Sequence, residues 1–102
     1  MTGIRQFQRM MKDIYFHHDY KRGIKATYDW LRSEVSELGE AIEKQDIKGI
    51  KEEFADVFAW LCSLANLLGI DLETVCYERY PNKCPKCGGN PCKCPFRKTP
   101  LQ

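Results

Sequence analysis

The chain has 102 residues and a mass of 11.9 kDa, which is one domain, or one domain and a short tail. With 43% hydrophobic and 29% charged residues it is not a disordered chain, and its longest apolar stretches, such as residues 57–61, are far too short to span a membrane. The net charge of +2 conceals an uneven distribution: +4 over residues 1–32, −7 over 33–73 and +5 over 74–102. A plain nucleic-acid binder is basic across its contact face, so this profile points elsewhere. It suits a site where acidic side chains hold a cation and basic ones receive an anion.

Apolar residues recur at helical spacing along most of the chain. In the first segment Ile4, Phe7, Met11, Ile14 and Tyr15 share a face, and the polar run His17 to Gly23 reads as a loop ending in glycine. A second helix runs from about Ile24 to Glu43, with Tyr28, Leu31, Val35, Leu38 and Ile42 in one stripe. After the connection Lys44-Gln45-Asp46, Asp46 is the expected N-cap of a third helix. That helix carries Ile50, Phe54, Val57, Phe58, Leu61, Leu64 and Leu68 and stops at Gly69. Asp71 is expected to cap a short fourth helix through Leu72, Val75 and Cys76, which Pro81 ends. The fold class is therefore all-α, a four-helix bundle over residues 1–81, followed by a cysteine-rich tail over residues 82–102. Chains of this size bury only about 60–68% of their unfolded surface, so a metal, a partner subunit or both are expected to support the core. Residues 1–12 carry Arg5, Arg9 and Lys12 but no apolar run, and the chain is read as cytoplasmic.

Two acidic pairs stand out, Glu34 with Glu37 on the second helix and Glu53 with Asp56 on the third. A spacing of i, i+3 puts both members of a pair on one helix face. Measured along the chain, Glu37 and Glu53 are each eight residues from Gln45, and Glu34 and Asp56 each eleven. In a hairpin turning at Gln45 the pairs lie level, roughly 12 and 16 Å from the turn. A solvated acidic face explains one such pair, but not two matched in height and flanked by Val35, Leu38, Phe54 and Val57. Like charges this close repel, and a cation removes the repulsion. An all-carboxylate ligand set selects Mg²⁺ or Mn²⁺ over Zn²⁺.

These residues also carry a resemblance. Glu34-Val-Ser-Glu37-Leu-Gly-Glu-Ala-Ile followed, after fifteen residues from Glu37, by Glu53-Phe-Ala-Asp56-Val resembles the signature of the MazG-like nucleoside triphosphate pyrophosphohydrolases. Arg22-Gly-Ile before the second helix and Leu-Gly-Ile-Asp71 after the third fit as well, so the likeness spans about residues 4–80. It implies a short, archaeal-type member: an all-α dimer or tetramer that hydrolyses an NTP or dNTP to the monophosphate and pyrophosphate. It further implies that Glu34, Glu37, Glu53 and Asp56 are the Mg²⁺ ligands and the catalytic set. Ser33 stands where the family has the first Glu of a doublet, and Arg79 where it has a lysine.

Phosphates need cationic partners, for which Lys21, Arg22, Lys25 and Arg79 are candidates; each is otherwise a solubilising surface charge. Trp30 and Trp60 are candidates to stack on a base, or are simply core, and Trp60, one turn beyond Asp56, is the better placed. His17 and His18 read as surface or capping residues, with a substrate contact as the alternative.

The tail places Cys84, Cys87, Cys92 and Cys94 within eleven residues, and Cys-x-x-Cys-Gly-Gly is a zinc-knuckle turn whose glycines let backbone amides approach the sulfurs. Four thiols make a closed tetrahedral site for structural Zn²⁺. Two disulfides and an iron–sulfur cluster are the rival readings. A zinc-loaded tail stays basic, so nucleic acid is admitted as a partner but not favoured. Cys62 and Cys76 are read as small core residues. The rival to the enzyme is a non-catalytic helical binding module whose zinc tail contacts nucleic acid or a protein.

Overall fold

Glycines and capping residues set where each helix of this chain begins and ends. The structure is a computed structural model and describes residues 3–100. Helix α1 (Ile4–Arg22) runs to Gly23, whose φ of +90° lies outside the range most side chains tolerate. Helix α2 (Ile24–Glu43) follows at once and ends in a turn at Gln45, φ +56°. Helix α3 (Ile47–Leu68) starts on Asp46, whose Oδ1 accepts from the Gly49 amide at 3.1 Å. Gly69 ends it in the left-handed conformation, with the Ile70 amide returning to Ala65 O at 3.0 Å. Helix α4 (Leu72–Arg79) stops ahead of Pro81. All regular structure among the described residues is helical. No single helix is long and apolar enough to cross a membrane.

One boundary differs from the sequence reading. Residues 17–22 are helical, not a loop, and only Gly23 breaks the chain. Part of the polarity that marked a loop is used inside the protein, while His17, His18, Tyr20 and Lys21 stay exposed on the helix. Asp19 is buried, and Arg22 Nη1 donates to its Oδ1 at 2.8 Å across one helical turn. Gln8 plays a similar part at the other end of α1. Its Nε2 donates to Asn66 Oδ1 and Ile70 O at 3.0 and 2.7 Å, and its Oε1 accepts from the Leu72 amide at 2.9 Å. The first amide of α4 is thus satisfied from α1, while Asp71 pairs with Arg5 at 2.9 Å.

The chain forms two compact units that divide between Leu72 and Glu73, so nearly all of α4 lies in the second unit, as does the composition change at residue 82. In the first unit α2 and α3 form the principal hairpin and α1 packs chiefly on α3. The buried positions are Gln8, Met11 and Asp19 on α1, Thr27, Glu34 and Ala41 on α2, and Cys62, Ser63 and Ala65 on α3. This core is small and half polar. It also lies to one side of the expected stripes: Tyr28, Val35 and Ile42 on α2, and Phe54, Leu61 and Leu68 on α3, are exposed. Ile14 and Tyr15 on α1 are about half exposed too. Cys62 is wholly buried, and burial pushes its thiol up to about 11. Cys76, read as a core residue, is exposed, because α4 buries none of its residues.

Candidate functional site

The α2–α3 hairpin brings the acidic pairs together as their heights require. Carboxylate oxygens of Glu34, Glu37 and Glu53 all lie within 4.8 Å of one another. Asp56 is hydrogen-bonded to Glu53, and its charge acts on Glu34. Only Glu34 is buried. Desolvation, a hydrogen bond to Glu37 and the charges of Glu37, Glu53 and Asp56 push its carboxyl up to about 7. Glu53 is raised as well, by loss of solvation, the Asp56 hydrogen bond and neighbouring carboxylates. Groups that repel enough to hold protons near neutral pH gain when a divalent cation replaces those protons. The donor set is all oxygen, so the residues fit Mg²⁺ or Mn²⁺. Ser33 takes no part in it, since its hydroxyl donates to Trp30 O at 2.7 Å within α2.

A cavity of about 230 Å³ opens beside this cluster, with Asp56 in its wall. Arg22 and Trp60 line it, as do Tyr15, His18, Asp19 and Ser63. Trp60 is not a bare platform. Its ring stacks on Trp30, 5.3 Å between centroids and 6° from parallel, and the Arg22 guanidinium lies 4.7 Å from its centroid. Arg22 is also committed to Asp19 and Thr27. Lys21 is exposed in the last turn of α1, and Lys25 sits 3.5 Å from Asp29 on the outside of α2. Arg79 ends α4, in the second unit. Sequence reasoning passed over Asp19 and Ser63 and took Tyr15 only as part of an apolar face, while His18, read as a surface residue with a substrate contact as the alternative, is exposed and lines the cavity. The available signal was spacing, because 15, 18, 19 and 22 form one stripe of α1.

The second unit holds the other cluster. The sulfurs of Cys84, Cys87, Cys92 and Cys94 all lie within 4.8 Å of one another, with Cys84–Cys94 at 3.8 Å and Cys87–Cys92 at 3.9 Å. Bonded sulfurs would be about 2.05 Å apart. Four sulfurs placed 2.3 Å from a tetrahedral centre are roughly 3.8 Å apart, so the spacing fits a zinc tetrathiolate. Backbone amides point at the sulfurs, from Lys86 to Cys84 at 3.4 Å and from Gly89 and Lys93 to Cys87 at 3.4 and 3.2 Å. The amides of Lys93 and Gly89 bring Cys87 down to about 6, and backbone amides lower Cys84 too. Cys94, hydrogen-bonded to Cys92, Cys84 and Cys87, is pushed up to about 12. Both glycines of the turn are required. Gly88 has φ +74°, and a Cβ on Gly89 would meet Pro91 O at 2.8 Å.

A comparison with curated proteins finds no match. The family model described as the MazG nucleotide pyrophosphohydrolase domain matches residues 22–88, which takes in both acidic pairs and the first two of the four clustered tail cysteines, Cys84 and Cys87. Two matched carboxylate pairs on an all-helical hairpin agree with that match, and this chain belongs to the MazG nucleotide pyrophosphohydrolase family.

Proposed function

We propose that this protein hydrolyses a nucleoside triphosphate, with Mg²⁺ or Mn²⁺, to the nucleoside monophosphate and pyrophosphate, as a housekeeper of the nucleotide pool. The observation that carries this reading is the convergence of Glu34, Glu37 and Glu53 on one point while Asp56 joins them to a cavity. Glu34, Glu37, Glu53 and Asp56 are the ligands of the ion and the catalytic set. A bound Mg²⁺ supplies charge neutralisation at phosphate oxygens and acidifies a coordinated water. Glu34, whose carboxyl is pushed up to about 7 and hydrogen-bonds to Glu37, would be one of the groups that hold the ion. Water and triphosphate give monophosphate and pyrophosphate, the water oxygen forming the new bond to phosphorus as the bridging oxygen leaves with pyrophosphate. Lys21, Arg22 and Lys25 are the cations of the first unit offered to the phosphates, and Trp60 shapes the cavity wall.

The protein acts as a homodimer or homotetramer. Tyr28, Val35 and Ile42 recur every seven residues on α2, and Phe54, Leu61 and Leu68 do so on α3, all exposed. A heptad of exposed apolar residues on adjacent helices is a seam for another copy. Structural Zn²⁺ on Cys84, Cys87, Cys92 and Cys94 orders the tail, and six cysteines without a disulfide among them suit the reducing cytoplasm.

A turnover panel tests the reaction. Each NTP and dNTP is incubated with Mg²⁺ and the protein, and monophosphate and pyrophosphate are quantified separately. Pyrophosphate release that vanishes in Asp56→Asn is the expected result. No release from any nucleotide, with Mg²⁺ still bound, would instead leave a helical binding module.

A further inference from the structure

The second unit carries a surface that the proposed hydrolysis does not use. Residues 79–102 hold Arg79, Lys83, Lys86, Lys93, Arg97 and Lys98 and no acidic residue. Apart from Glu73 and Glu78 on α4, the acidic residues of the chain belong to the first unit. Four thiolates around one zinc would subtract two charges from this segment and leave it at +4. All six cations are exposed, and so are Tyr77, Tyr80 and Phe96, at 67%, 59% and 89%. Beside the thiol turn, cations and a ring meet at a groove. Tyr80, Asn82, Lys83 and Asn90 line it together with Gly89, around a volume of about 400 Å³. Its wall is held in shape by Cys84 N donating to Gly89 O at 2.9 Å and Asn90 Nδ2 donating to Asn82 O at 2.9 Å. The Lys93 side chain passes the same wall, with its Cγ 3.4 Å from where a Cβ on Gly89 would stand. One exposed aromatic ring and two lysine side chains are thus gathered at one groove.

We propose that this surface binds single-stranded RNA, with a base stacked on Tyr80 and the adjoining phosphates held by Lys83 and Lys93. An unpaired strand offers the faces of its bases to aromatic rings while its backbone meets cations, and a duplex hides those faces. An acidic peptide would use the lysines and leave the ring without a partner. Ribose is favoured over deoxyribose because of the two asparagines. Both are exposed at the groove, and each keeps one amide group outside the bonds they make with each other: the nitrogen of Asn82 and the oxygen of Asn90. A 2′-hydroxyl both donates and accepts, which matches that pair. The carboxylate cluster takes no part, so this binding stands or falls independently of turnover.

The test is fluorescence anisotropy of a labelled oligouridylate of about 12 nucleotides, within the site sizes of single-strand binders, titrated with the full chain. Binding on the order of micromolar is expected at low salt, with log K falling against log salt by about 0.7 for each phosphate contact. Oligothymidylate, an RNA duplex and polyglutamate of the same length should each bind more weakly. Tyr80→Ala should weaken RNA binding by about fivefold or more, the scale of one base stack. Lys83→Gln should lower the salt slope by about 0.7, and Lys48→Gln, an exposed position on α3 in the first unit, should change neither. Circular dichroism should match wild type in all three, since each replaces an exposed side chain. No binding at low salt, equal or tighter binding of the DNA strand or the duplex, or RNA binding unchanged in both Tyr80→Ala and Lys83→Gln overturns the proposal. Tighter binding of polyglutamate overturns it too, and assigns the surface to an acidic protein.

Discussion

The two ligand clusters of this chain are built in opposite ways. The carboxylates stand on two long helices that are held by packing, hydrogen-bonded turns and a capped N-terminus, so this scaffold would not depend on an ion. The thiols stand on a segment without regular structure, whose turn is held by a few backbone hydrogen bonds such as Cys84 to Gly89 O at 2.9 Å and Gly88 to Cys84 O at 2.8 Å. There the ion would supply what a core supplies elsewhere. A metal site on packed helices serves chemistry and is strained without its cation, whereas a metal site on a coreless loop is itself the fold.

The largest effect that would break this comparison is loss of the tail alone. Structural zinc contributes on the order of 10–16 kcal/mol to small zinc modules, so chelation, or Cys87→Ser, should disorder residues 84–94 while α1 to α3 keep their helicity. The protein as purified should carry about one zinc per chain. Amide spectra in which both units collapse together would show that the tail is not a separate metal-held element, and absence of both zinc and free thiols would return the disulfide reading.

Next in size is the reverse experiment. Glu37→Gln should cut turnover by more than the roughly 100-fold that loss of an outer partner of a metal ligand costs, with circular dichroism near wild type. Helicity lost along with activity would make the carboxylates structural.

A smaller effect has a definite sign. Folded Glu34 titrates near 7 against an ordinary 4.5, so between those values the folded state binds more protons than the unfolded one. Without divalent cation, the contribution of Glu34 to stability should be full below about pH 4.5 and be lost as pH rises through about 7. Added Mg²⁺ should flatten that slope. A metal-free protein that gains stability over this range would contradict the electrostatic account. The smallest effect is local: Asp46→Ala removes the α3 cap and should cost about 1 kcal/mol in thermal unfolding of the first unit, leaving zinc binding unchanged.

Much of this was legible in the residues. Gly69 and Asp46 marked the ends of α3 because a left-handed residue and a side-chain acceptor are local needs. The carboxylate cluster was legible because i, i+3 spacing and equal distance from Gln45 convert chain position into height in a hairpin. Cys-x-x-Cys-Gly-Gly announced its own turn, since amide approach to sulfur is decided within a few residues. Elsewhere composition misled. The polar run before Gly23 looked like a loop, but it is helical, and Arg22 donates inside the protein to Asp19 Oδ1 and Thr27 Oγ1.

Sequence alone therefore determined the helices, their order, the level pairing of acids and the thiol turn, all set by spacing along a regular backbone. Tertiary structure decided which face of each helix is buried, that Trp60 is clasped by Trp30 and Arg22, and that one buried oxygen of Asp19 has no partner among the described residues. Those outcomes depend on what the neighbouring helix presents at the point of contact, and periodicity within a single helix carries no information about that.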